Sequence, residues 1–344
     1  MATVTRRDTL RYLVGVGVAS TLRADMSWAQ EGTVRFSSRL ARWQTPRANG
    51  RVLIDGVNVY YEEQGQGIPI VLCPGGRQTV EATRPLAAEL GRKYRALSWD
   101  RPNTQGRSDV AFKGSRDVDM WADQLDVLLG RLNARPAYLV GPSMGVRTNV
   151  ATAVRYPDIV RGLFIFFASG NNTPNYPNLP RQYWGDYADI ADKGGMEAVI
   201  ATPYWAGVIH RNPSNRALLL KTDPREFSRV MRRWTNAHKP SDVALNITDA
   251  DLRRHSANRV PTSIIVGCDN AHSRETSERM AGLMPNAEFI DPPGFCEEWV
   301  KKRDDSRKWA AEHEEPGEQP YYEVSHLFSL IDDFVTRTEA KAKR

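Results

Sequence analysis

A chain of 344 residues can hold one large α/β domain with an insertion, or two ordinary domains, and either way has room for a substantial core. The formal net charge of +6 is diffuse, because arginines such as Arg232, Arg233, Arg253 and Arg254 are interleaved with acids in the manner of solvated helix faces; a nucleic-acid-binding stripe is excluded. Cys73, Cys268 and Cys296 are the only cysteines, too few for a disulfide scaffold.

The N-terminus reads as an address label. Arg6 and Arg7 precede a mildly apolar stretch from Tyr12 to Leu22, and small residues follow at Ser27 and Ala29. The pattern resembles a twin-arginine export signal, so residues 1–29 are expected to be a leader and the mature protein periplasmic or secreted. The alternative is a basic arm on a cytoplasmic protein, since Arg23 and Asp25 interrupt the end of the apolar stretch. Residues 30–50 are polar and aperiodic, a linker. No later segment has the roughly 20 uninterrupted apolar residues of a membrane span.

The core begins with a hairpin, Arg51 to Ile54 and Val57 to Glu62, turned at Asp55 and Gly56. Ile68 to Cys73 is a buried strand, followed by the loop Pro74 to Arg77 and an amphipathic helix from Val80 to Leu90. Tyr94 to Trp99 is the next strand. It ends in the loop Asp100 to Asp109, and a helix from Val118 to Leu132 follows. The apolar run Ala137 to Val140 then leads into Gly141, Pro142, Ser143, Met144 and Gly145, with a helical stretch from Val146 to Tyr156 behind. Ser143 therefore sits on a strand-to-helix corner. The glycines two residues either side are required because side chains there would collide, so the corner presents the hydroxyl at the top of the sheet. Val160 to Phe167 is another strand. Near-continuous apolar strands alternating with helices imply a mostly parallel sheet covered on both faces, its first part at 51–170.

From 171 to 255 the alternation stops. A loop rich in Pro and Asn, Asn171 to Pro180, opens helices carrying Tyr183, Trp184, Tyr187, Tyr204, Trp205 and Trp234, read as a cap over the sheet's carboxyl edge. The core resumes at 256–344 with strands Thr262 to Val266 and Ala287 to Ile290, a helix from Arg274 to Leu283 between them, a charged helical insertion from Glu297 to Glu315, and a last helix with Leu327, Ile331 and Phe334 at core spacing. Cys268 and Cys296 each follow an apolar run, which makes a bridge geometrically possible. A chain that folds before export in a reducing cytoplasm is instead expected to keep three thiols.

Over residues 51–340 this order, with Ser143 on its corner, resembles the α/β-hydrolase family. The resemblance implies a serine nucleophile at Ser143 and an oxyanion hole from the Met144 amide and the amide of Gly76, in a loop where the family usually has His-Gly. It implies an acid after the seventh strand, where Gly267 to His272 offers only Asp269, one residue short of the commonest register, in which Asn270 would fall. The alternative acid position after the sixth strand holds Ser169, Gly170 and Asn171, none a carboxylate. The base is expected after the eighth strand, yet Pro292 to Trp299 contains no histidine. Three histidines follow the acid. His313 is placed first and His326 second; His272 is third because it shares the acid's loop and resembles a position that is not usually the base. His210, His238 and His255 precede the acid and read as surface histidines without zinc-site spacing, so neither metal nor other cofactor is expected.

The implied activity is serine hydrolysis of an ester, lactone, amide or activated C–C bond in a small to medium, partly apolar molecule held between cap and sheet. The competing class is a ligand-binding protein on the same fold that has lost its chemistry. Haloalkane and epoxide chemistry need an aspartate at position 143. The expected partner is a small molecule, neither nucleic acid nor membrane, and the oligomeric state is left open.

Overall fold

The structure is a computed structural model that describes residues 47–170, 178–239, 242–244, 246–313 and 325–343. The leader expected at 1–29 lies outside the described residues. Strands β1 (Ala48–Ile54) and β2 (Val57–Gln64) form the antiparallel hairpin, turned at Asp55 and Gly56 with φ of 48° and 82°. Positive φ at both central residues is what a two-residue turn matched to strand twist demands.

Then come β3 (Pro69–Leu72), α1 (Val80–Leu90), β4 (Arg95–Trp99), α2 (Asp117–Arg131), β5 (Ala137–Pro142), α3 (Met144–Arg155) and β6 (Val160–Phe166). A helical insertion follows: a π-helical turn at Arg181–Gly185, α4 (Asp186–Ile200, kinked at Gly195), α5 (Pro203–Arg211), α6 (Ser214–Lys221), α7 (Pro224–Asn236) and α8 (Asp249–Ala257). The chain ends with β7 (Thr262–Ile265), α9 (Arg274–Leu283), β8 (Ala287–Ile290), α10 (Phe295–His313) and α11 (Ser325–Ala342).

The eight strands lie in the order β1-β2-β4-β3-β5-β6-β7-β8. β2 pairs antiparallel with β1 and β4, and every other pair is parallel. Because successive strand residues face opposite ways, Leu139 and Ile165 join one apolar layer while Tyr138, Val140, Phe164 and Phe166 join the other. Both layers are buried, so β5 and β6 are apolar throughout rather than alternating. Leu327, Ile331 and Phe334 of α11 close the second layer.

Two expectations are corrected here. Cys296 lies in the first turn of α10 rather than at a strand end, and forms a disulfide with Cys268, their Cα atoms 5.1 Å apart. Only Cys73 remains a thiol. Of the three histidines read as surface residues, His210 is exposed, but His238 is half-buried and His255 is buried. His255 shares the inner face of α8 with Leu252 and Ser256, at helical spacing, and its Nε2 meets Thr262 Oγ1 at 2.7 Å. Burial pushes its pKa down to about 4.

Candidate active site

Parallel strands deliver their carboxyl ends to one edge of the sheet, and Gly76, Ser143, Met144, Asp269 and His272 follow those ends. Ser143, between β5 and α3, has φ 51° and ψ −117°, a conformation L residues rarely adopt and that costs on the order of 1–3 kcal/mol. The surroundings impose it. The Ser143 amide donates to Phe167 O at 2.9 Å, and its carbonyl accepts from the Val146 amide at 3.0 Å. A Cβ on either Gly141 or Gly145 would run into the carbonyl oxygen of Cys73, far inside van der Waals contact. Both glycines are thus fixed by one backbone atom on β3's extension, itself held by the bond from Cys73 N to Val140 O.

The neighbouring loop, Pro74 to Gly76, is held by a residue that local sequence patterns do not reveal. Arg101 is buried, and its Nη2 donates to Pro74 O at 2.7 Å, Gly76 O at 2.9 Å and, more weakly, Gly75 O at 3.4 Å. The guanidinium stacks over Trp121 at 4.8 Å. In a trans peptide the carbonyl of one residue and the amide of the next point opposite ways. Turning three carbonyls onto Arg101 therefore turns the amides of Gly75, Gly76 and Arg77 away from it. Gly76 has φ 40°, in the left-handed region, and a Cβ on Gly75 would stand 3.5 Å from Ser143 Cβ. Asp100 anchors the base of the same assembly by accepting from the amides of Val80 and Arg107, both at 2.8 Å. Burial pushes its pKa up to about 7.

Ser143 is buried, at 5% exposure, and its Oγ lies 2.7 Å from Ser169 Oγ, just beyond β6. Asp269, beyond β7, accepts from the amides of Ala271 at 2.8 Å and His272 at 2.7 Å, and the same oxygen faces His272 Nδ1 at 3.0 Å. The loop closes when the Asp269 amide donates to His272 O. This tight reversal folds a histidine three residues on back against the acid. Burial works to raise the Asp269 pKa, but the His272 ring and the two amides outweigh it and hold the carboxyl below its usual range.

His272 is buried and stands edge-on to Phe167, ring centroids 6.0 Å apart; Phe167 is the residue whose carbonyl holds the Ser143 amide. Phe295 and Trp299 of α10 pack on the same Phe167 ring, and the disulfide ties Cys268, beside Asp269, to α10. The helix that replaces the expected histidine thus braces the acid loop. His313 is the last residue of α10 and His326 lies in the first turn of α11, but both side chains lie outside the described residues. The structure therefore joins Asp269 with His272, placed last of the three from the sequence, and Ser143 with Ser169.

The insertion reaches the same edge. Arg77, directly after Gly76, places its guanidinium 3.6 Å from the Tyr204 ring centroid and 4.2 Å from that of Tyr183. Nη2 donates to Tyr183 O at 2.9 Å and Nη1 to the Tyr187 hydroxyl at 3.4 Å. The Tyr204 hydroxyl donates to Asn103 O, and Gln105 donates to Tyr204 O at 3.4 Å. A cavity of about 550 Å³ lined by Tyr138, Arg161, Thr262 and Phe334 opens at the other, N-terminal ends of β5 and β7, away from Ser143. Among the described residues, no three His, Cys, Asp or Glu side chains cluster as metal ligands, and no helix is long and apolar enough to cross a membrane.

The fold agrees with the comparisons. A model of the alpha/beta hydrolase family matches residues 70–298, and the chain belongs to that family. It is similar to the 2-hydroxymuconate semialdehyde hydrolase of a Pseudomonas species, 26% identical over 43% of this chain and 53% of that protein. It is also similar to the (E)-2-((N-methylformamido)methylene)succinate hydrolase of Acinetobacter baylyi, 30% identical over 43% of this chain and 54% of that protein. The chain thus spans about half the length of these two relatives. The solved structure of a putative lipase from Acinetobacter baumannii shares the fold, with a TM-score of 0.56 and 14% identity over 86% of this chain and 92% of that one. These two relatives are named as hydrolases, and this chain shares their family.

Proposed function

We propose that the protein is a serine hydrolase that cleaves an ester, lactone, amide or activated C–C bond through an acyl-enzyme on Ser143. The observation that carries this is the corner itself: a strained serine whose two flanking glycines are both packed on Cys73 O, an arrangement that fixes the direction of one side chain. In the reaction Ser143 Oγ bonds to the substrate carbonyl carbon while its proton passes to His272 Nε2, Asp269 holding the Nδ1 side of the ring. The amides of Met144 and Gly76 receive the oxyanion, and Arg101 supports the second through the loop carbonyls. Collapse breaks the bond to the leaving group, which takes the proton from His272. Water then repeats the sequence and releases the acid.

The helical insertion serves as a cap, its Tyr183, Tyr187 and Tyr204 facing the loops that carry Arg77 and Asn103. The relatives named for 2-hydroxymuconate semialdehyde and for an N-methylformamido succinate derivative support C–C and amide bonds within the substrate range. We place the mature protein outside the cytoplasm on the basis of the twin-arginine pattern at residues 1–29, a location that suits the Cys268–Cys296 disulfide.

The test is labelling of the purified protein by a fluorophosphonate probe at neutral pH. Strong labelling that disappears in Ser143→Ala is expected. Silence of the native protein, given an intact fold, would transfer the reading to a binding protein that has lost its chemistry.

A further inference from the structure

Among the described residues, Arg77 is a cation at the Ser143 edge of the sheet with no acid to neutralise it. Other arginines near this edge have one, Arg107 and Arg211 pairing with Glu81 and Arg84 with Glu62, while Arg101 is held by the loop carbonyls. Among the described residues Arg77 meets only tyrosines, two through hydrogen bonds and three through ring faces. Residues 171–177, next to the insertion's first turn in sequence, contain no Asp or Glu. A guanidinium carries five N–H donors, of which two are taken here. Tyrosine faces steady a positive charge but leave it uncompensated, and a half-buried charge without a counter-ion is costly.

Position gives this charge a use. Gly75, two residues earlier, abuts the Ser143 side chain, and two residues span at most about 7 Å, comparable to the reach of an arginine side chain. The backbone of Arg77 is turned by Arg101 together with the oxyanion loop, so its side chain is placed by the same contacts that place Gly76. The guanidinium fork matches a carboxylate in shape as well as charge. The facing tyrosines of the insertion would cover the apolar part of such a molecule.

We propose that Arg77, framed by Tyr183, Tyr187 and Tyr204, binds a carboxylate of the substrate, so that the enzyme selects anionic acyl compounds over neutral ones of equal size. This rests on Ser143 being the nucleophile, and the experiment separates the two claims. The rate of Ser143 labelling by a neutral fluorophosphonate is measured with and without succinate, and with succinamide as the uncharged control, in native protein, Arg77→Met and Arg77→Lys. The ratio of rates within each variant removes any change in basal labelling, and a thermal melt establishes that each variant is folded.

Succinate is expected to slow labelling of the native protein about tenfold or more where succinamide does not, with protection lost in Arg77→Met and partly kept in Arg77→Lys. Hydrolysis should agree: mono-4-nitrophenyl adipate should exceed 4-nitrophenyl hexanoate in kcat/KM for native protein, and the preference should disappear in Arg77→Met. Labelling that succinate and succinamide affect equally, or protection that survives in folded Arg77→Met, overturns the carboxylate site and leaves the nucleophile standing. A native protein that does not label at all removes both.

Discussion

The corner at Ser143 and the loop at Asp269 stand at the ends of β5 and β7, yet they are built by different kinds of constraint. The corner is steric and local: two glycines, one carbonyl oxygen and a backbone that has no other way round. The acid loop is assembled from distant parts. Its own turn brings His272 onto Asp269, while a disulfide across 28 residues and an aromatic stack of Phe167, Phe295 and Trp299 hold it against the sheet. A steric constraint is absolute at a few positions; an assembled one is spread over many contacts, each replaceable.

The largest expected effect separates chemistry from fold at the acid loop. His272→Gln and Asp269→Asn should each lower kcat roughly 10³-fold, while His313→Gln and His326→Gln stay within about threefold, measured by steady-state hydrolysis of an activated ester. Loss of activity in His313→Gln with His272→Gln active would hand the base to α10's end. Next comes the corner. Gly145→Ala should destabilise the protein by about 3 kcal/mol or more in denaturant unfolding, since neither Cys73 O nor the helix can give way. A variant of native stability would mean that the corner is looser than its contacts imply. Smallest is the brace: replacing Cys268 and Cys296 together by serine should cost roughly 2 kcal/mol and lower kcat while Ser143 keeps its conformation, which a crystal structure would check. An unchanged kcat would show that the aromatic stack alone positions Asp269.

The same contrast explains what was legible. The hairpin turn, the helix Val80–Leu90, the Ser143 corner and the core spacing of Leu327, Ile331 and Phe334 follow from φ preferences and periodicity, which act over a few residues. Arg101 was missed because it reaches Pro74 and Gly76 across 27 and 25 positions, and no short pattern encodes that reach. Misplacing His255 on the surface had a smaller cause. One polar residue on the inner face of a short helix looks like any surface histidine until Thr262 is seen beside it.

The sequence by itself determined the α/β alternation, the place of the Ser143 corner and the aromatic character of the insertion. Each is dictated by sterics or hydrophobic period within one element. Only the tertiary structure decided that Asp269 meets His272, that Cys268 and Cys296 join, that Arg101 turns the loop Pro74 to Gly76 and that Arg77 lies among tyrosines with no acid beside it among the described residues. Those are pairings between separate segments, and their partners are chosen by how the sheet stacks its loops at one edge rather than by the order of residues along the chain.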